Sequence, residues 1–288
     1  MKCINTCRHA LILALFFVLA TASAQVSIPV CTSSQMNAFM NGTTYVVREN
    51  SKMSEFNDYI KSAVESNWTI NPVEFIYMSD FEAKRKEKNA SFLMVMQISF
   101  DADKTKTLFD FLVLVAGGNY KTVNDMPLLC MVPLCYNEAS EDSWLHKLPV
   151  AVRFTEMHMK TVKANPGLTA KSSIDYYMAN KGKLEEKTLY LLKQDLEPSL
   201  RNETAFRSAY PYPFQFSDEA SIHDIIDEGI DNCLILHVIA PVNSSQTDKC
   251  IKMIIDPKTA QLYYYDMHDI GKNKPAGLLE SDVKKMLK

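Results

Sequence analysis

Short runs of alternating apolar and polar residues, rich in β-branched and aromatic side chains, recur twice along this chain of 288 residues. Period-two alternation marks strands with one buried face. In the first half Thr44 to Arg48 reads as a strand, Phe56 to Val64 as a helix, Val73 to Met78 as a strand and Asp80 to Asn89 as an amphipathic helix. Phe92 to Phe100, Leu108 to Val115 and Tyr120 to Asn124 then read as a meander. In the second half Leu189 to Leu192, Phe214 to Phe216, Cys233 to Ile239, Ile251 to Ile255 and Leu262 to Tyr265 repeat the order. Asp101-Ala102-Asp103, Ala116-Gly117-Gly118-Asn119 and Asp256-Pro257-Lys258-Thr259 supply the residues that tight reversals want.

The two halves match at an offset of about 141 residues. Pro72, Phe75 and Tyr77 recur as Pro211, Phe214 and Phe216, Leu93 and Ile98 as Leu234 and Ile239, and Asp125-Met126 as Asp266-Met267. Ser140-Glu141 recurs as Ser281-Asp282, where serine at the N-cap and acid in the first turn start a helix. The pattern predicts an α+β protein with two tandem copies of a β-α-β-α-β-β-β-α unit on mixed or antiparallel sheets. The first copy carries an extra connector: a helix from Val150 to Lys163, the break Asn165-Pro166-Gly167, a short helix near Ile174 to Met178, and Asn180 to Glu186. Residues 25–183 form the first repeat with its connector, and 184–288 the second. Nearly every shared position is apolar or a turn residue, so the duplication speaks to packing rather than chemistry.

The first 24 residues read as a cleaved signal peptide. Lys2 and Arg8 precede the apolar run Ala10 to Ala20, and Ala22-Ser23-Ala24 is a small-x-small cleavage signal. A run of about 11 residues is too short to span a bilayer. Gln25 rather than a cysteine follows the cut, so the reading is an exported protein that is not a lipoprotein. Without the leader, 29 basic residues face 34 acidic ones, a net charge of −5. That is no field for nucleic acid. The basic run Lys84-Arg85-Lys86-Glu87-Lys88 reads as a solvated helix face.

Five cysteines remain after cleavage: Cys31, Cys130, Cys135, Cys233 and Cys250. If the strands join near Pro241 and Lys249, paired residues sum to about 490, which sets Cys233 and Cys250 some seven residues apart along the ladder, roughly 20 Å. Both read as buried thiols. Cys130 and Cys135 could bridge a turn at Pro133, although buried thiols are favoured there too. Sequons at Asn41, Asn67, Asn89, Asn202 and Asn243 would be glycosylation sites in a eukaryotic secretory pathway and fall on predicted loops or element ends.

Thr188-Leu189-Tyr190, Tyr210-Pro211-Tyr212-Pro213-Phe214, Leu262-Tyr263-Tyr264-Tyr265-Asp266 and Leu278-Leu279-Glu280-Ser281-Asp282 resemble a family of secreted α/β proteins from Bacteroidetes-type bacteria with a duplicated domain and no assigned activity. The resemblance covers mainly 187–288. It implies a periplasmic or extracellular setting and supplies no catalytic residue.

Motifs for nucleotide, esterase and zinc-protease chemistry are absent, as is Cys-x-x-Cys, and 8 glycines leave little for a phosphate cradle. No cofactor is expected. Met157-His158-Met159 combines thioether and imidazole, ligands that suit Cu(I), yet consecutive helical residues diverge by about 100°. Core methionines around an exposed histidine is the favoured reading. Cys233 and His237 share a strand face about 13 Å apart, which favours a buried thiol and a tolerated histidine over a nucleophile and base. Asp125 and Asp266 mark matching strand ends, either as twin binding carboxylates or, as favoured, turn caps. Tyr263 and Tyr265 face one way and Tyr264 the other, so one side of this tyrosine-rich strand is a candidate recognition surface, against half-buried packing.

These readings favour an exported, non-catalytic binding or interaction protein with a protein or glycan partner and no membrane span. The alternative is a hydrolase-type enzyme with a site in the inter-domain cleft, to which His146, His158 and Asp125 could contribute. A concave inter-domain pocket with His or Cys beside a carboxylate would favour the enzyme, and a flat aromatic patch the binding protein.

Overall fold

The computed structural model describes residues 27–99, 108–137, 139–241 and 248–288. The leader, the Asp101-Ala102-Asp103 turn and Asn243 lie outside them. The first unit contains α1 (Ser33–Met40), β1 (Thr43–Arg48), α2 (Glu55–Asn67), β2 (Val73–Tyr77), α3 (Met78–Lys84), β3 (Ala90–Ile98), β4 (Phe109–Ala116), β5 (Leu128–Tyr136) and α4 (Leu148–Ala164). The connector holds α5 (Ala170–Met178) and a 3-10 segment, Ala179–Glu186. The second unit contains β6 (Thr188–Leu191), α6 (Glu203–Ala209), β7 (Phe214–Phe216), α7 (Glu219–Glu228), β8 (Cys233–Ile239), β9 (Lys249–Ile255), β10 (Leu262–Asp269) and α8 (Glu280–Met286).

Each unit builds one five-stranded sheet, ordered β2-β1-β3-β4-β5 and β7-β6-β8-β9-β10. In both, the first strand lies parallel to its two neighbours and the last three strands run antiparallel. The protein is α+β, and two sheets of one topology fit a tandem duplication.

Pairing fixes which residues correspond. Thr44 pairs with Val73 and Ser91, and Leu189 with Phe214 and Leu234. The amide of Thr44 donates to the Pro72 carbonyl at 2.9 Å, and that of Leu189 to Pro213 at 3.0 Å. Pro72 therefore corresponds to Pro213, not Pro211. Following the ladders, Leu93 matches Leu236, Leu114 matches Ile254 and Cys130 matches Tyr264. The offset drifts from 145 (Thr44 to Leu189) to 134 (Cys130 to Tyr264), because the connecting segments differ in length.

Two expected elements need correction. Tyr120 to Asn124 is no strand; Val123–Asp125 is a 3-10 turn, and the third meander strand is β5, which contains Pro133. Ser281 is not an N-cap either. Leu279 holds that position, and Asp282 in the first turn accepts from its amide at 2.8 Å. Ser140 occupies a cap position before a 3-10 turn without a capping hydrogen bond.

The second sheet is covered on both faces, so every residue of β9 is buried. One face, with Leu234, Leu236, Ile254 and Tyr264, packs against Phe206 of α6 and Val283 and Met286 of α8. The other, with Ile235, Ile239, Ile251, Met253, Ile255 and Tyr265, joins Ile222, Ile225 and Ile226 of α7 and the interior of the first unit in one continuous core. Arg153 of α4 secures this junction: its guanidinium donates to Asn67, to the carbonyl of Ile226 at 3.1 Å and to that of Pro257 at 2.6 Å.

Candidate functional site

The two units meet around a cleft of about 150 Å³. Three segments of the second unit reach it. The 3-10 turn Lys193–Asp195 follows β6 directly and is held by the Asp195 amide on the Leu192 carbonyl at 3.0 Å and the Leu278 amide on the Asp195 carbonyl at 2.8 Å. The end of β8 contributes Leu236 to Ile239, and the first turn of α7 contributes Glu219 and Ile222. After β6 the chain leaves to α6 on one face, and after β7 to α7 on the other. Crevices at the carboxyl ends of parallel strands that diverge in this way are preferred ligand sites in α/β sheets.

The first unit supplies the opposite wall: the end of β5 at Leu134 to Tyr136, and the turns that lead into α4 with Trp144, His146 and Lys147. The walls touch where His237 Nε2 lies 3.2 Å from the Pro133 carbonyl. A carbonyl only accepts, so Nε2 carries the proton and Nδ1 presents a lone pair. His237 is 7 % exposed, and this Nδ1 has no hydrogen-bond partner.

The cleft gathers ionisable groups that feel one another. Burial, reinforced by Lys147, holds the His237 imidazole well below the ordinary histidine range. Burial and the Lys147 charge push His146 down to about 4. His146 Nδ1 lies 3.2 Å from the Asp142 carbonyl, which makes that nitrogen the donor, and its ring sits 5.5 Å from that of His223. Both cleft histidines are neutral at pH 7. Burial pulls the Lys147 pKa down against the attraction of Asp195 and Glu219, and the side chain keeps part of its surface in solvent. Burial raises the Asp195 carboxyl to about 6, opposed by Lys147. Glu219 is exposed at the rim, where it accepts from Gln194 at 3.2 Å. A broader, open depression around Lys193, Gln215, Phe216 and Asp218 adjoins the cleft and shares Leu192, Gln194 and Glu219 with it.

No family model, curated protein or solved structure matches this chain. The site therefore rests on its own geometry.

Nucleophilic chemistry finds little support in this geometry. The Cys135 thiol lies 3.7 Å from Asp110 Oδ2, and burial with that carboxylate drives its pKa far upward, the reverse of an activated thiolate. The Ser143 hydroxyl donates to the Ser140 carbonyl at 2.7 Å. His223 and Asp227, 3.1 Å apart, form an i,i+4 pair on the surface of α7.

The residues singled out from sequence lie elsewhere. His158 is fully buried rather than exposed; its Nε2 donates to the Pro29 carbonyl at 2.8 Å, and its Nδ1 accepts from the Tyr177 hydroxyl at 2.7 Å. Both ring nitrogens are engaged. Met159 is a core residue, while the Met157 sulfur accepts from Thr161 at 3.4 Å. The three do not converge, and among the described residues no cluster of His, Cys, Asp and Glu could hold a metal ion.

Tyr263 and Tyr265 are 1 % and 6 % exposed, so they form no recognition surface. A bulge between Leu262 and Tyr264 turns Tyr263 and Tyr264 to the same core and Tyr265 to the other. Asp125 caps its own turn, accepting from the Thr122 amide at 2.9 Å and hydroxyl at 3.0 Å. Asp266 sits within β10, opposite Lys252, at the position of Val132 in the first unit. The two aspartates are not equivalent. The five cysteines of the described residues are unbridged and buried, and Ile235 opposite Ile255 gives the β8–β9 register expected from sequence. No helix among the described residues is long and apolar enough to cross a membrane.

Of the cleft residues, sequence reasoning reaches His146 as a site candidate and weighs His237 only as a base for Cys233. Lys147 and Asp195 escape it. Asp195 carries the one usable signal, a carboxylate just past the carboxyl end of a predicted strand.

Proposed function

We propose that this is an exported, non-catalytic binding protein that holds a small polar ligand in the cleft between its two units. The carrying observation is the cleft itself, which opens between the two units at the carboxyl ends of β6 and β8 and is lined by Lys147, Asp195 and His237. The upward-shifted Cys135 thiol and the Ser143 hydroxyl committed to the Ser140 carbonyl favour recognition over bond cleavage. Trp144, 8 % exposed, lines the same cleft and reports on its occupancy.

A thermal-shift screen of the full chain against small polar metabolites tests this. Saturation at about 100 times Kd stabilises a protein by about 2.7 kcal/mol. Genuine ligands should raise Tm and change Trp144 emission, and both effects should vanish in His237→Phe. Ligands whose effect survives that substitution would place the binding site elsewhere, and a screen without ligands would remove the proposal.

A further inference from the structure

The charges in the cleft narrow its ligand, on the premise that the cleft is the binding site. Lys147 from the first unit and Asp195 from the second both line the cleft. They form no ion pair, and neither side chain hydrogen-bonds to another group among the described residues. Two opposite charges that face one space without closing on each other leave room for a molecule carrying both complements.

Other ligand classes leave something unmatched. A simple anion satisfies Lys147 but meets Asp195 and the Glu219 rim. A simple cation satisfies Asp195 but meets Lys147. A neutral polyol leaves both charges unpaired. An ammonium donates to the Asp195 carboxylate, while a carboxylate on the same molecule accepts from Lys147. Rejection of the wrong class comes from the charge it leaves unpaired. Size sets a second limit, because a cavity of about 150 Å³ takes a ligand of about six non-hydrogen atoms, the size of benzene.

We infer that the cleft selects a small zwitterionic amino acid, its carboxylate on Lys147 and its ammonium on Asp195. Glycine, alanine, serine and β-alanine fit the size.

Calorimetric titration of the full chain with these four, with tryptophan emission followed in parallel, tests the inference against two controls: propionate and ethylammonium. At least one of the four should bind at least about tenfold tighter than every control, a difference readily resolved in Kd. Lys147→Met and Asp195→Asn should each weaken it by at least about tenfold, with urea midpoints establishing that the variants fold. If Lys147→Met does not fold, the isosteric Asp195→Asn on the other wall decides. Propionate or ethylammonium binding as tightly as the amino acids would overturn the assignment, as would no binding by any of the four. In the latter case, His237-dependent ligands from the metabolite screen would leave the cleft standing as a binding site. If nothing binds there, the cleft holds water alone and both readings fall.

Discussion

Lys252 is fully buried at the position where the first unit has Leu112. Its ammonium donates to Asp282 Oδ2 at 2.7 Å and lies 3.5 Å from Asp266 Oδ2. The Tyr264 hydroxyl donates to Asp282 Oδ1 at 2.8 Å, and Lys285 pairs with Asp266 at 2.8 Å. The network thus balances two cations with two anions and reaches solvent only through Lys285 and part of Asp266. Burial, with both carboxylates beside it, drives the Tyr264 phenol strongly upward, so it stays a donor. A buried pair adds little over apolar packing, but breaking it leaves a bare charge at a cost of about 3–5 kcal/mol. Lys252→Met should therefore lower unfolding free energy by about 3–5 kcal/mol in urea denaturation, and adding Asp282→Asn should recover part of that loss. A single variant within about 1 kcal/mol of wild type would mean that Asp282 is not stranded by the change.

At the level of elements, alternation identifies nine of the ten strands among the described residues, and its failure is informative. Leu128–Tyr136 reads instead as a turn at Pro133, a residue that cannot donate to a ladder. Here the ladder tolerates proline because β5 is an edge strand, with register shifts on either side of the Phe111–Pro133 pair. Helix α1 also went unread, although Thr32 and Gln35 form its capping box. The cleft was not legible, because its charges come from turns and strand ends far apart in sequence and meet only through the packing of the units.

Close backbone approaches are equally silent in sequence. Gly42, between α1 and β1, lies so near the corner before β3 that an ideal Cβ would sit 1.7 Å from the Asn89 carbonyl oxygen. Gly42→Ala must push these two corners apart and should cost more than about 3 kcal/mol, in the range of severe steric changes. Gly182, with nothing within 4 Å of its Cβ position, is the control and should change stability by less than about 1 kcal/mol as Gly182→Ala. Equal midpoints for the two variants in thermal unfolding would refute the argument.

The duplication made two sheets but not two independent cores. The second unit buries Ile235, Ile239, Ile251, Met253, Ile255 and Tyr265 partly against the first unit, so this face cannot be satisfied by residues 184–288 alone. The connector ties both sides as well. Ser173 of α5 bonds to the carbonyl of Ile28 at 3.1 Å, Tyr177 meets His158, and the Asn180 amide reaches the Leu262 carbonyl of β10 at 3.0 Å. Neither unit has a reason to unfold alone, since doing so exposes an apolar sheet face and breaks the two hydrogen bonds that Arg153 makes to the carbonyls of Ile226 and Pro257. The whole chain should thus melt in one transition with equal calorimetric and van't Hoff enthalpies, the signature of two-state unfolding. The fragment 184–288 should bind a hydrophobic dye and lack a cooperative transition. Arg153→Met should lower Tm of the full chain while the transition stays single. Two resolved transitions, or a fragment that melts cooperatively without dye binding, would mean that the units are separable and the cleft between them a soft contact, too ill-defined to hold Lys147 and Asp195 at a fixed spacing across a ligand.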